Sequence, residues 1–136
     1  MRILIFGLPG SGKTTLAQEL VKNLPCFYLN ADKVRETFGD NDFSIQGRIN
    51  QAKRMKALAD MARDVLVIAD FVCPTEETRR IFKADLLIWM NTVDHCKYAD
   101  TNKIFEIPKK VDYKIISKDA KKHSVEIVKK IKGIGR

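Results

Sequence analysis

Cysteine is scarce in these 136 residues: Cys26, Cys73 and Cys96 are the only three, an odd number with no C-x-x-C pair. That excludes a disulfide framework and a four-cysteine zinc site, and it fits a reducing compartment. Long apolar runs are missing too. Charges interrupt every stretch well before the ~20 residues that a membrane span needs. The basic, briefly apolar start Met1-Arg2-Ile3-Leu4-Ile5-Phe6 is followed by no A-x-A cleavage pattern, so a cytoplasmic protein without a cleaved leader is expected. There is no internal repeat, low-complexity tract, linker, RNA-binding aromatic motif or zinc-finger spacing.

What is present is the composition of a globular chain, with 45% apolar and 31% charged residues. The length suits one domain, residues 1–136. The net charge of +8 is concentrated near the end, where residues 117–136 hold seven basic side chains against Asp119 and Glu126. A solvated helix face is the first reading of that segment, and a patch for phosphate backbones the alternative.

Periodicity orders the elements. Arg2 to Phe6 reads as a buried strand, and Leu16, Ala17, Leu20, Val21 and Leu24 share one face of a helix that Pro25 stops. Cys26–Leu29 is a second strand and Asp32–Phe38 a short helix. Ser44 caps a long helix whose stripe is Ile45, Ile49, Ala52, Met55, Ala59 and Ala62. Val65–Ala69, Leu86–Met90 and Tyr113–Ile116 are further strands, with a helix over Thr75–Lys83 and another capped by Ser117. Residues 91–112 show no period and read as a long working loop. Alternation of this kind predicts an α/β fold with a parallel sheet and right-handed crossovers.

The chemistry begins at Gly7-Leu8-Pro9-Gly10-Ser11-Gly12-Lys13-Thr14, a match to G-x-x-x-x-G-K-[ST] followed by Thr15. Glycines let the backbone aim successive N–H groups at phosphate oxygens, and a helix opening at Lys13 adds its positive end. Lys13 is expected to reach the β- and γ-phosphates, and the Thr14 hydroxyl to ligate Mg²⁺. Asp70, closing an apolar strand, is the expected second metal ligand. ATP and Mg²⁺ are therefore the expected cofactors. A GTPase would need lysine within Asn91-Thr92-Val93-Asp94 and glycine at Cys73, and has neither. A small-molecule kinase needs an acid near the acceptor hydroxyl and arginines for an anionic acceptor. Asp32, Arg35, Arg48, Arg79 and Arg80 are available.

In order along the chain stand Asn30-Ala31-Asp32-Lys33-Val34-Arg35, Asp42-Phe43-Ser44, Arg48-Ile49-Asn50-Gln51 and Cys73-Pro74. Over roughly residues 1–82 this set resembles the adenylylsulfate (APS) kinases, which carry Asp-Gly-Asp-x-x-Arg, Gly-Phe-Ser, Arg-x-x-Asn and Ser-Pro after their Walker A loop. The resemblance implies a P-loop kinase fold with a five-stranded parallel sheet in the order 2-3-1-4-5, flanked by helices. It also implies phosphorylation of the ribose 3′-hydroxyl of APS to give PAPS. Asp32 would take or orient the hydroxyl proton, Arg35 and Arg48 would bind the anionic end, Phe43 would stack on adenine, and Gln51 would stand in the acceptor site in place of the family's asparagine. Apart from the resemblance, Arg79 and Arg80 after the third strand read either as ligands for phosphate charge at the substrate or as ordinary exposed helix residues. Phe43, next to a helix cap, reads equally as a hydrophobic staple. The family's lid segment is absent, with Tyr98–Lys103 in its place, and Asn30, Gln51 and Cys73 also depart from the pattern. Another nucleotide, a sugar or a nucleic-acid end stays open as acceptor, and a basic nucleic-acid-binding protein as the other class. Expected partners are ATP and a small acceptor, with a homodimer among the expected assemblies and no membrane.

Overall fold

The computed structural model describes residues 1–134; Arg136, counted above in the basic segment, lies outside them. Five parallel strands form one sheet in the order β2-β3-β1-β4-β5. They are β1 (Arg2–Phe6), β2 (Phe27–Asn30), β3 (Val67–Phe71), β4 (Leu86–Met90) and β5 (Tyr113–Ile115). The expected fold class and strand order are both present.

Among the described residues there are six helices, α1 (Lys13–Asn23), α2 (Ala31–Phe38), α3 (Ile45–Asp60), α4 (Glu76–Phe82), α5 (Ala99–Ile104) and α6 (Ala120–Ile134). The strict alternation in β1 divides the interior. Ile3 and Ile5 pack with Leu16, Leu20, Ile127 and Ile131 from α1 and α6. Leu4 and Phe6 pack with Ala52, Met55 and Phe82 from α3 and α4. A central strand buried on both faces needs no polar alternation, which is why β1 is apolar throughout after Arg2.

Four local expectations change. β3 starts at Val67 and runs through Asp70, because its register with β1 begins at Arg2 opposite Val67; Val65 is left exposed. The long segment 91–112 contains α5, a single short helix too brief to show a period. The last helix is capped by Asp119, whose Oδ1 accepts from Lys122 N at 3.4 Å, while Ser117 Oγ pairs with His123 Nε2 at 2.9 Å. Finally, Ile45 is exposed at the start of α3, whose first turns instead bury Gly47, Arg48 and Gln51. Ser44 caps this helix by accepting from Gly47 N at 3.1 Å, as expected. Gly47 has no side chain because one would run into Asp42, which rests on that turn.

Arg79 does not join a binding site. It is buried, and its guanidinium donates to the carbonyls of Cys73 (3.0 Å), Pro74 (3.2 Å) and Glu106 (2.8 Å) and to Glu76 Oε1 (3.0 Å). Its plane also lies over Phe6, 4.4 Å from the ring centroid, and 5.2 Å from that of Phe105. This is a clamp between the end of β3, α4 and the segment leading to β5. Residue type alone could not separate it from a ligand-binding arginine. Arg79→Ala would leave several buried carbonyls unpartnered, and a loss of about 3–5 kcal/mol is expected by analogy with a broken buried pair. Urea unfolding measures this; an unchanged midpoint would show that the clamp carries no stability.

Candidate active site

The loop between β1 and α1 is shaped by its glycines. Gly10 and Gly12 sit at φ 82° and 95°, in the left-handed region that disfavours other residues. A Cβ on Gly7 would stand 2.7 Å from the Met90 carbonyl oxygen, so only glycine lets the loop pass β4. Gly12 is the N-cap of α1 and offers no side-chain acceptor, and no acid occupies the first turn. The first N–H groups of the helix therefore keep their unmet donor capacity and positive potential, the requirement for holding an anion.

Pro9, Gly10, Gly12, Lys13, Thr14 and Thr15 line a cavity of about 690 Å³. Gly7, Leu8 and Ser11 stand behind it and support the loop. The Leu8 carbonyl accepts from Lys13 Nζ at 3.0 Å, and the Ser11 carbonyl accepts from Thr92 Oγ1 at 2.6 Å. Burial lowers the Lys13 pKa, while the nearby carboxylates of Asp70 and Asp32 act in the opposite direction.

Asp70 faces the start of α1 from β3. Its Oδ1 is 3.4 Å from Thr14 Oγ1, which donates to it, and Asn30 Nδ2 donates to both carboxylate oxygens at 3.4 and 3.3 Å. Tyr28 OH donates to its Oδ2. Burial raises the Asp70 pKa above the usual carboxylate range, and these donors, with the charge of Lys13, pull it back down. Burial and the adjoining carboxylate likewise push the Tyr28 hydroxyl up. Hard oxygens from one hydroxyl and one carboxylate suit Mg²⁺, which completes its shell with water and phosphate rather than a protein cage. No cluster of three or more His, Cys, Asp or Glu side chains able to hold a metal occurs among the described residues.

The same cavity reaches Asp32, Arg35, Phe43, Arg48 and Gln51. Asp32 occupies the first turn of α2, a helix capped by Asn30 Oδ1 accepting from Lys33 N at 3.0 Å. Phe43 is half exposed and carries the Arg35 guanidinium 4.2 Å from its centroid and that of Arg48 at 5.6 Å. The staple position of α3 is thus filled, but with arginine at N4 the contact is cation–π rather than apolar. Arg35 donates to the Asp42 carbonyl (2.9 Å) and pairs with Asp40 (3.3 Å). Arg48 Nε donates to the Phe43 carbonyl (3.0 Å), and its Nη2 to Thr101 Oγ1 (2.7 Å). Gln51 spans Ala31 O and Arg54, which holds its Oε1 at 2.6 Å. Burial lowers the pKa of both Arg35 and Arg48 without threatening their charge.

Sequence reasoning missed several contributors. Lys118 reaches back from beyond β5 to donate to the Gly10 carbonyl at 2.9 Å, a contact across 108 positions that no spacing announces. Tyr28 belongs to no motif. The segment 95–106, which stands where the APS kinases carry their lid, is already a candidate for acceptor choice on sequence grounds, and Tyr98, Asp100 and Thr101 of it reach the cavity through α5. Cys73 lines the cavity, and burial pushes its thiol up to about 12.

Comparison with known proteins bears on the family and the fold. The profile of the AAA domain family matches residues 3–82. The APS kinase of Mycobacterium tuberculosis in complex with AMPPNP and APS superposes with a TM-score of 0.82 at 16% identity, over 96% of both chains. The shikimate kinase of Aquifex aeolicus gives 0.68 at 20% identity over 99% of this chain and 98% of that one. A cytidine diphosphoramidate kinase of Campylobacter jejuni is 37% identical over 67 residues, which are 46% of this chain and 39% of the length of that relative. The two superpositions speak to the fold, and the family match covers more than half of the sequence. The chain belongs to the AAA domain family and has the fold of the P-loop kinases.

Proposed function

We propose that the protein is an ATP-dependent kinase that transfers the γ-phosphoryl group to a hydroxyl of a small nucleotide acceptor with an anionic 5′ tail, the class to which APS and cytidine diphosphoramidate both belong. One observation carries the reading: a single cavity opens onto the phosphate loop, the Asp32 carboxylate and the Arg35–Phe43–Arg48 cluster. Donor and acceptor can therefore meet without a rearrangement of the sheet.

In this mechanism the triphosphate lies on the N–H groups of the loop and the start of α1, and Lys13 neutralises charge on the transferred group. Mg²⁺ held by Thr14 and Asp70 would supply further charge neutralisation on the phosphate oxygens. Asp32 orients the acceptor hydroxyl and takes its proton as the new O–P bond forms and the bond to the β-phosphate oxygen breaks. ADP leaves with the electron pair. Arg35 and Arg48 hold the anionic end of the acceptor, and Phe43 offers a face to its base.

The ordered motifs favour APS. The 37% identity with a cytidine diphosphoramidate kinase favours a second acceptor of the same type, a nucleotide with a 5′ anhydride tail. ADP release with ATP–Mg²⁺, measured in parallel against APS, cytidine diphosphoramidate, nucleosides and sugars, tests the class. Turnover restricted to sugars would overturn the nucleotide assignment.

Two substitutions test the roles. Lys13→Ala removes the charge facing the transferred group and should lower turnover by ~10²-fold or more. Unchanged turnover would mean that the loop is not catalytic. Asp32→Asn should slow phosphoryl transfer by ~10²–10⁴-fold while ATP affinity holds. A matching fall in ATP affinity would make Asp32 structural instead.

A further inference from the structure

The helix α5 brings a carboxylate, that of Asp100, to the cavity that holds the arginines of α2 and α3. Thr101, buried on this helix, accepts from Arg48 Nη2 at 2.7 Å and so docks α5 onto the acceptor end. Asp100, one residue earlier, lines the same cavity with its Oδ2 3.9 Å from that nitrogen. Its side chain is 68% exposed, too open for a role in packing. The other cavity arginine is also already matched: Arg35 pairs with Asp40 at 3.3 Å, and Asp40 pairs in turn with Arg54 at 2.9 Å. Each arginine that would receive an anionic tail therefore faces a carboxylate of the protein.

This balance bears on what the tail can be. Sulfate ends only in acceptor oxygens and carries its charge outward, so at Arg48 it stands close to a like charge with no hydrogen to offer. A terminal amide on phosphorus keeps oxygens for the guanidinium and presents N–H donors that a carboxylate accepts. A site discriminates as much by repelling the wrong group as by holding the right one.

We propose that Asp100 is the specificity-determining residue of the acceptor site, selecting a nucleotide whose 5′ anhydride tail ends in an N–H-bearing group over one that ends in sulfate. The inference rests on the kinase reading above and decides between its two acceptors. A merely structural Asp100, neutralising Arg48 or favouring the first turn of α5, would not alter the ranking of acceptors.

The test compares kcat/KM for cytidine diphosphoramidate and for APS, each with saturating ATP–Mg²⁺, in the wild type, Asp100→Asn and Asp100→Glu. Both acceptors are assayed on one preparation, so the ratio does not depend on the folded fraction. The wild type should favour the amidate. Asp100→Asn should shift the ratio by about tenfold or more towards APS, mostly through the acceptor KM, and Asp100→Glu should keep the wild-type preference. A ratio that Asp100→Asn leaves unchanged, or that Asp100→Glu shifts equally, would overturn the role of Asp100 while the kinase reading stands. Turnover of neither acceptor, beside turnover of a sugar, would overturn the nucleotide reading and this assignment together, and turnover of a nucleotide without a 5′ anhydride tail in their place would overturn this assignment alone.

Discussion

The parallel pairing of β1 with β3 is the constraint on which the polar site hangs. Its register sets Ile5 opposite Asp70 and Phe6 opposite Phe71, so the chain leaves β1 into the phosphate loop just as β3 presents its carboxylate. Asp70 can then face Thr14 across 56 positions of sequence without any loop designed for the purpose. Open parallel sheets collect ligands at the carboxyl ends of their strands for this reason: every strand points the same way, so every following loop emerges on one edge. Asn30 and Tyr28 reach the same carboxylate from β2, the strand beyond β3.

Burial then sharpens the chemistry. Lys13 and Asp70 are both pushed towards their neutral forms by loss of water, and each is held against that push by the other's charge. Such a pair costs free energy in the fold but needs little reorganisation when a polyanion arrives, which is the advantage of a preorganised site. The arginines follow a different rule. Arg79 is spent on backbone carbonyls, whereas Arg35 and Arg48 use part of their forks on the protein and keep further N–H donors. Residue type does not distinguish these fates; burial and hydrogen-bond partners do.

The phosphate loop was legible because all its parts are neighbours in sequence: strand, glycines, Lys13 and Thr14 follow one another, and the structure places them as that order implies. The same holds for caps such as Ser44, whose partner is three residues away, whereas the strand order came from the resemblance to the APS kinases and not from the local pattern. What escaped depends on distant meetings. Lys118 finds Gly10 only after β5 has been laid beside β4, and Arg48 finds Thr101 only after α5 folds over α3. The Ser117 cap went wrong for a local reason: Asp119 competes within two residues, and its carboxylate rather than the hydroxyl accepts from the Lys122 N–H in the first turn of α6. Arg79 failed for want of burial information, since an arginine after a strand end looks the same whether it faces ligand or backbone.

The central claim is that the cavity joins a phosphate donor to a hydroxyl acceptor, rather than spending the nucleotide on water. Phosphorus NMR of a reaction with ATP, Mg²⁺ and a nucleotide acceptor separates the two directly. Transfer predicts ADP and a new phosphomonoester on the acceptor growing in equal amounts, with inorganic phosphate near background. ADP matched by inorganic phosphate, with the acceptor unchanged, would contradict it.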